Sequence, residues 1–260
     1  MPYFSFTKIS IGSITFYTWG LFVALGFLLG YLFVLKKVKK IQIDPSIIHN
    51  SAVLVILGAI IGSRIAYVLG HLNYYLSNPL EILKIWQGGL VIYGGIVGAL
   101  ILALFYIVII KKIPKKTVWS IADSTALIMP LCIAVGRIGC SLINDHQGAE
   151  TSLPWGIIWP DRTIRHPVAE YLIIANLVIF CALRFLKPKL TKPGQLSFAF
   201  LFLYSCSRLF LDFTRSVGTP LSDNHYWMLS TTQWLSLGII IVIIILVGRK
   251  KIKSKRQKYA

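Results

Sequence analysis

Thirteen consecutive residues, Gly136-Arg137-Ile138-Gly139-Cys140-Ser141-Leu142-Ile143-Asn144-Asp145-His146-Gln147-Gly148, bring together an arginine, an acid and a histidine directly after an apolar run, Ser120 to Val135. A charge held in hydrocarbon is costly unless it is paired or solvated. Such groups at the end of an apolar segment therefore read as a polar site. An arginine fork binds phosphate or carboxylate through paired N–H donors. A histidine beside a carboxylate can take or give a proton near neutral pH. The chemistry suggested is the handling of an anionic ligand next to an acid–base group. The plainer alternative is a membrane-edge loop whose arginine reaches back to the interface.

A second polar group lies in Tyr204-Ser205-Cys206-Ser207-Arg208-Leu209-Phe210-Leu211-Asp212-Phe213-Thr214-Arg215. Tyr204, Arg208 and Asp212 follow at i, i+4 and i+8 and so share one helix face, with Arg215 near it. Only nine acids occur in the chain, and Asp123, Glu170 and Asp212 fall within or at the edge of apolar runs. Arg64, Arg137, Arg165, Arg208 and Arg215 stand away from the basic clusters and outnumber the acids placed to neutralise them. That surplus of positive charge suits a phosphate-bearing ligand. The alternative for Arg208 and Asp212 is a structural ion pair within a bundle.

Gly88-Gly89-Leu90-Val91-Ile92-Tyr93-Gly94-Gly95 sets one phenol between two glycine pairs. The glycines suit either a close helix seam or the passage of a lipid chain. Of the histidines nearest the arginines, His146 is the better acid–base candidate. His166, before Pro167, suits an anchor at the start of a helix. No His/Cys/Glu spacing makes a metal motif, and the four cysteines form no CxxC pair and read as small packing residues, Cys140 included. No metal or organic cofactor is expected.

Membrane helices must position these groups. The 260 residues are 56% hydrophobic and 14% charged, with mean hydropathy +0.71, whereas soluble domains carry about a quarter charged residues. Seven apolar runs are read as spans: about 16–35, 46–69, 88–110, 117–135, 168–185, 194–213 and 229–247. Eighteen of the 27 basic residues lie in four clusters, Lys36–Lys40, Lys111–Lys116, Lys187–Lys192 and Arg249–Lys258. Each cluster closes an odd-numbered span, which by the positive-inside rule places the N-terminus outside and the C-terminus inside. The net charge of +18 is thus accounted for by cytoplasmic loops facing anionic lipid, and no nucleic-acid motif accompanies it. The first apolar run lacks an early base cluster and a small-residue cleavage site, so it is read as a retained span. The expectation is an all-α integral membrane protein, a seven-helix bundle. It forms a single domain over residues 1–260 with a basic tail at 249–260.

Taken in order, these motifs resemble the prolipoprotein diacylglyceryl transferase family. The resemblance rests on Gly136-Arg137-Ile138-Gly139, the Gly-Gly pairs around Tyr93, Arg165-His166-Pro167 and Tyr204-x-x-x-Arg208-x-x-x-Asp212-x-x-Arg215. Trp19-Gly20, Gly62-Ser63-Arg64, Leu153-Pro154-Trp155 and Gln233-Trp234-Leu235-Ser236 extend it over nearly the whole chain. It implies transfer of a diacylglyceryl group from phosphatidylglycerol to the lipobox cysteine of a prolipoprotein, with release of glycerol phosphate, at the outer side of a bacterial cytoplasmic membrane. Arg137 would be the main lipid ligand, joined by Gly139, Arg208, Arg215, Tyr204 and Arg64. Tyr93, Asp145, His146 and Arg208 would form the catalytic set, supported by Asp212, Arg165, His166, Gly94 and Gly95. Tyr93 falls where many members have histidine, Asp145 where others have glutamate, and Cys140 where some have asparagine. These departures leave room for an altered lipid-modifying activity. A transporter or channel lined by the buried charges is the reading from a different class; it would show polar groups at matching depth in two repeats, and no repeat is visible.

Overall fold

The computed structural model describes residues 1–12, 14–40, 42–218 and 225–259, with side chains described as far as Arg249 except those of residues 11 and 14. An antiparallel hairpin of β1 (Lys8–Ile11) and β2 (Ile14–Tyr17) leads into α1 (Thr18–Lys40), and α2 (Pro45–Gly70) follows. A short α3 (Leu72–Ser77) and two 3-10 turns, Pro79–Leu83 and Ile85–Gln87, precede α4 (Ile92–Leu104), whose last turns widen to π-helix over Phe105–Ile110. Then come α5 (Lys115–Ile143), a small hairpin of β3 (Ile157–Ile158) and β4 (Ile164–Arg165), and α6 (Val168–Leu186). α7 (Gln195–Leu211) ends in a 3-10 turn, Asp212–Thr214. The pair β5 (His225–Tyr226) and β6 (Leu229–Ser230) then opens α8 (Thr231–Tyr259).

Among the described residues, seven helices are long and apolar enough to cross a membrane, and they coincide with the seven expected spans. Their outward faces carry large apolar side chains, including Ile61, Ile96, Leu100, Val178 and Ile244. In water such faces would invite aggregation, but in hydrocarbon they are solvated while the helices satisfy their own backbone groups. The side chains of the basic tail beyond Arg249 lie outside the described residues, as does Asp223.

Local chemistry explains where these helices begin and end. At the start of α2 the Asp44 carboxylate accepts from Ser46 N (2.9 Å) and Ser46 Oγ (2.5 Å), with Pro45 in the first turn. Lys37, Lys39 and Lys40 close α1, where positive charge complements the helix dipole. α7 starts under a cap from another helix: Asp123 of α5 accepts from Gly194 N (2.7 Å), Ser197 N (2.8 Å) and Ser197 Oγ (2.7 Å).

The chain divides into two compact units, Met1–Gly30 with Ala122–Ala260, and Tyr31–Ile121. In the second unit, α2 and α4 meet along glycines. A Cβ on Gly62 would lie 2.3 Å from Gly94 O, and one on Gly98 would lie 2.2 Å from Gly58 O. That contact is backbone to backbone, so only glycine permits it. Ile47, Tyr106 and Ile107 form a buried cluster with Leu54, Ile113 and Val118 packed around it. In the first unit, the opening half of α1 lies against α5, where a Cβ on Gly26 would come 2.6 Å from Cys132 O. Leu172, Ile179 and Leu183 of α6, Leu196 and Phe200 of α7 and Leu127 and Ile128 of α5 are among its buried apolar side chains.

Two boundaries differ from the sequence reading. The fourth span does not stop at Val135: α5 continues two turns further, through Arg137 and Cys140 to Ile143. Gly139 has no Cβ to strike Phe22 of α1, which would come within 2.9 Å, so this glycine serves helix packing, while Gly136 sits in the same helix with open space beside it. The third span starts at Ile92, after Gly88, because Gly88 and Gly89 take φ of +89° and +70° in the loop before it.

Candidate active site

α5 ends at Asn144, whose φ of +50° turns the chain out of the helix; asparagine tolerates this left-handed region better than most residues. The N-terminal segment covers the exposed helix end. Phe6 N donates to Leu142 O (2.8 Å), Ser5 Oγ to Ile143 O (3.1 Å), and Asn144 Nδ2 to Phe4 O (2.6 Å). This turn folds Asp145 and His146 back against the last turns of α5, over Arg137.

There, Arg137 Nη1 lies 2.6 Å from His146 Nε2 and 3.6 Å from Cys140 Sγ, while His146 Nδ1 hydrogen-bonds Asp145 Oδ1. A guanidinium can only donate, so Nε2 accepts from Arg137 and the ring proton sits on Nδ1, donated to Asp145. His146 is thereby fixed as one tautomer, with its basic lone pair occupied by Arg137. Among the described residues Arg137 makes no direct ion pair with a carboxylate. Its nearest side-chain partners are an imidazole and a thiol, and Asp145 stands on the far side of the ring. Glu170, at the start of α6, accepts from Ser141 Oγ at 2.5 Å.

Arg208 is 6% exposed on α7 and pairs with Asp212 at 3.1 Å. The pair has the distance of an ion pair but not the alignment of a hydrogen bond at Asp212 Oδ1, and among the described residues the buried Arg208 Nη1 has no hydrogen-bond partner. A buried donor left unmade is costly, which makes Nη1 a natural place for a ligand oxygen. Asp212 is held from the other side by Ser230 Oγ at 2.7 Å. Ser230 and Gln233 close a capping box at the start of α8: Gln233 N donates to Ser230 Oγ (3.1 Å) and Ser230 N to Gln233 Oε1 (2.8 Å). Gln233 Nε2 also reaches Leu209 O at 3.2 Å, tying α8 to α7. Tyr204 is half-buried one turn below Arg208, its ring 5.7 Å from that of Phe200.

The segment after Asn144 folds on itself around Arg165. Buried to 9% exposure, Arg165 donates to Thr163 Oγ1 (2.7 Å), Gly148 O (3.4 Å), Glu150 Oε1 (3.4 Å) and Asp161 Oδ2 (3.1 Å). The Thr163 hydroxyl and backbone N–H, with Arg165 behind them, hold the Asp161 carboxyl below its ordinary range. His166 Nδ1 lies 3.2 Å from Tyr171 OH, which also accepts from Trp155 Nε1 at 2.8 Å. Gly148 pairs with Arg215 in an antiparallel bridge, and Ala149 N donates to Thr214 O (2.9 Å). The arginine motif, the Arg165 segment and the end of α7 are thus stitched together through Gly148. A Cβ at that position would lie 2.2 Å from His166 O.

Arg64, in the second unit, is employed otherwise. Its guanidinium donates to Ile82 O (2.9 Å), Gly88 O (2.8 Å), Gly89 O (3.2 Å) and Glu81 O (2.6 Å), between the rings of Tyr67 and Tyr75. Four of its five N–H groups hold the loop between α2 and α4. Gly94 and Gly95 belong to the seam with α2, and Tyr93 is half-buried in the first turn of α4. Gly139 stands against Trp19 and Phe22.

Sequence reasoning missed Ser230 as the partner of Asp212, although Ser230-Thr231-Thr232-Gln233 carries the capping-box spacing. It also took Cys140 for a packing residue, where the thiol accepts from Arg137. It read no metal-binding set either, yet Cys140, Asp145 and His146 place one ligand atom each within 4.8 Å of one another. Helical periodicity gave no sign of it, because Asp145 and His146 arrive by a turn.

The chain matches the family model described as prolipoprotein diacylglyceryl transferase over residues 7–249. It is 30% identical to a phosphatidylglycerol–prolipoprotein diacylglyceryl transferase of Bordetella parapertussis over 89% of each chain. A protein of the same name from Nitrosomonas europaea is 32% identical over 95% of this chain and 90% of its own. One from Clostridioides difficile is 32% identical over 76% and 78%. The match runs through Arg137, the Arg165 segment and the α7–α8 network alike, and this chain belongs to the prolipoprotein diacylglyceryl transferase family.

Proposed function

We propose that residues 1–260 act as one transferase domain that moves the diacylglyceryl group of phosphatidylglycerol to the cysteine thiol of a prolipoprotein lipobox. The observation that carries the reading is Arg137, a guanidinium at the end of α5 whose partners are uncharged side chains. A lipid phosphate is the stronger acceptor and would draw Arg137 from His146. That exchange frees Nε2, so the same movement that seats the lipid uncovers a base whose other nitrogen is oriented by Asp145. The thiolate sulfur then attacks the glycerol carbon that bears the phosphate, the carbon–oxygen bond breaks, and glycerol phosphate leaves. Arg137 and the spare donor of Arg208 stabilise charge on the departing phosphate. Tyr204, Arg215 and Gly139 line or support the lipid site, and Tyr93 is the alternative proton acceptor or a lipid hydrogen-bond donor. Arg64, Arg165, His166, Asp212, Gly94 and Gly95 hold the surrounding loops and helices. The site works at the outer side of the bacterial cytoplasmic membrane, with the basic loops inside. The reaction draws on side chains alone.

Purified protein, phosphatidylglycerol and a synthetic lipobox peptide test this directly. The expected result is a diacylglyceryl mass gain on the peptide with stoichiometric glycerol phosphate. A folded protein that leaves both substrates unchanged overturns the reading.

A further inference from the structure

Cys140, which the proposed transfer does not use, lies beside the Asp145–His146 pair that it does use, and the three side chains together make a metal-ligating set. Sulfur, imidazole and carboxylate are the three donor types that zinc-like cations bind together, and one atom from each lies within 4.8 Å of the others. Tetrahedral zinc, with bonds of roughly 2.0–2.3 Å, holds its ligand atoms roughly 3.3–3.7 Å apart. Side-chain rotations of about one bond length therefore close the set. Cys140 is fixed, 4% exposed on the last turns of α5, while Asp145 and His146 sit on the turn beyond it at 36% and 18% side-chain exposure. One wall is rigid and the other two can close.

A cation already occupies the place. Arg137 donates to His146 Nε2 and Cys140 Sγ, two of the atoms a metal would take. We infer that Cys140, Asp145 and His146 form an inhibitory site for a thiophilic divalent cation of the zinc class, mutually exclusive with the Arg137 contacts. On binding, the cysteine releases its proton to solvent and the metal takes the thiolate, the carboxylate and one imidazole nitrogen. Thiolate and carboxylate balance the dication, so the one positive charge gained when the metal enters and a single proton leaves resides on the displaced Arg137 guanidinium. Inhibition rests on the transferase reading: metal on His146 removes the lone pair that would accept the thiol proton. Binding itself does not depend on that reading.

The test uses the full chain in detergent, reduced with a phosphine, and titrated with Co²⁺ as a spectroscopic probe. The expected result is one equivalent bound with a thiolate-to-cobalt absorption band that Zn²⁺ displaces, and no band in Cys140→Ser or His146→Gln. Absence of the band in wild type overturns the site, as does its survival in both variants, which would place the thiolate at another cysteine. In parallel, transferase turnover is followed against Zn²⁺, each protein normalised to its own metal-free rate. Wild type should be inhibited and recover with chelator, and Cys140→Ser should need at least about tenfold more Zn²⁺. Equal sensitivity of the two overturns the inhibitory role. No metal-free turnover in either protein would defeat the transferase reading, while the cobalt band still decides the site.

Discussion

Arg137 and Arg64 differ in what they are given to bind, and that difference sorts the arginines. Arg64 holds four backbone carbonyls, and Arg165 holds two carboxylates, a hydroxyl and a carbonyl. Both spend four of their five N–H donors on the fold. Arg137 and Arg208 keep contacts that a phosphate can improve upon. Removing a group that stabilises developing charge lowers kcat by about 10²–10³. Arg137→Ala should lose at least that much transfer rate while its thermal midpoint in detergent stays close to wild type; a wild-type rate removes Arg137 from the mechanism. Arg64→Ala should behave in the opposite sense, with amide exchange rising over residues 81–89 in deuterium-exchange mass spectrometry. Unchanged exchange there would show that the loop holds itself. The Asp161 carboxylate gives a pH signature. Its pKa is depressed in the fold, so its contribution is present above the unfolded value of about 3.9 and is lost as pH falls through the depressed one. Exchange of residues 161–165 should therefore be flat from neutral pH down to that range and rise only below it, after correction for intrinsic rates.

At the scale of elements, two devices fix the helices that carry these side chains. The α2–α4 seam relies on missing side chains, and a Cβ on Gly94 would meet Ala66 Cβ at 2.3 Å and Gly62 O at 2.4 Å. Overpacking of a tight contact costs about 1–3 kcal/mol. Gly94→Val should lower the unfolding midpoint in detergent by that measure, whereas Gly136→Ala, with open space at its Cβ, should not. The Asp123 cap ties α5 to the start of α7, and losing a cap costs about 0.5–2 kcal/mol. Asp123→Ala should destabilise and Asp123→Asn should recover part of the loss. The spans themselves were legible, because hydropathy and basic clusters mark them without reference to tertiary contacts. The end of α5 was not: glycines and an arginine inside Gly136–Ile143 imitate a loop, and only the approach of Phe22 to Gly139 shows why the helix persists. Arg208 with Asp212 was readable from i+4 spacing. Arg137 with His146 was not, since a left-handed turn at Asn144 brings them together, and the carbonyls that occupy Arg64 leave no trace in residue types.

For the whole molecule, orientation follows from where the lysines fall. Four basic clusters close α1, the α4 span, α6 and α8, and the proposed topology puts all four ends on one side of the bilayer. The positive-inside rule assigns that side to the cytoplasm because bases close to spans resist translocation. In that proposed orientation Arg137, at the far end of α5 from Lys115 and Lys116, lies at the outer side. This is also where the basic-poor segment with Asp145, His146 and Arg165 begins. The argument is decided by one pair of fusions. A fluorescent protein joined after Ala260 folds and emits only in the cytoplasm, and should be bright. An alkaline phosphatase joined within residues 150–163, active only after export, should be active. The reverse pattern would place Arg137 inside, away from any lipobox presented at the outer surface, and would force the transfer to occur on the cytoplasmic leaflet.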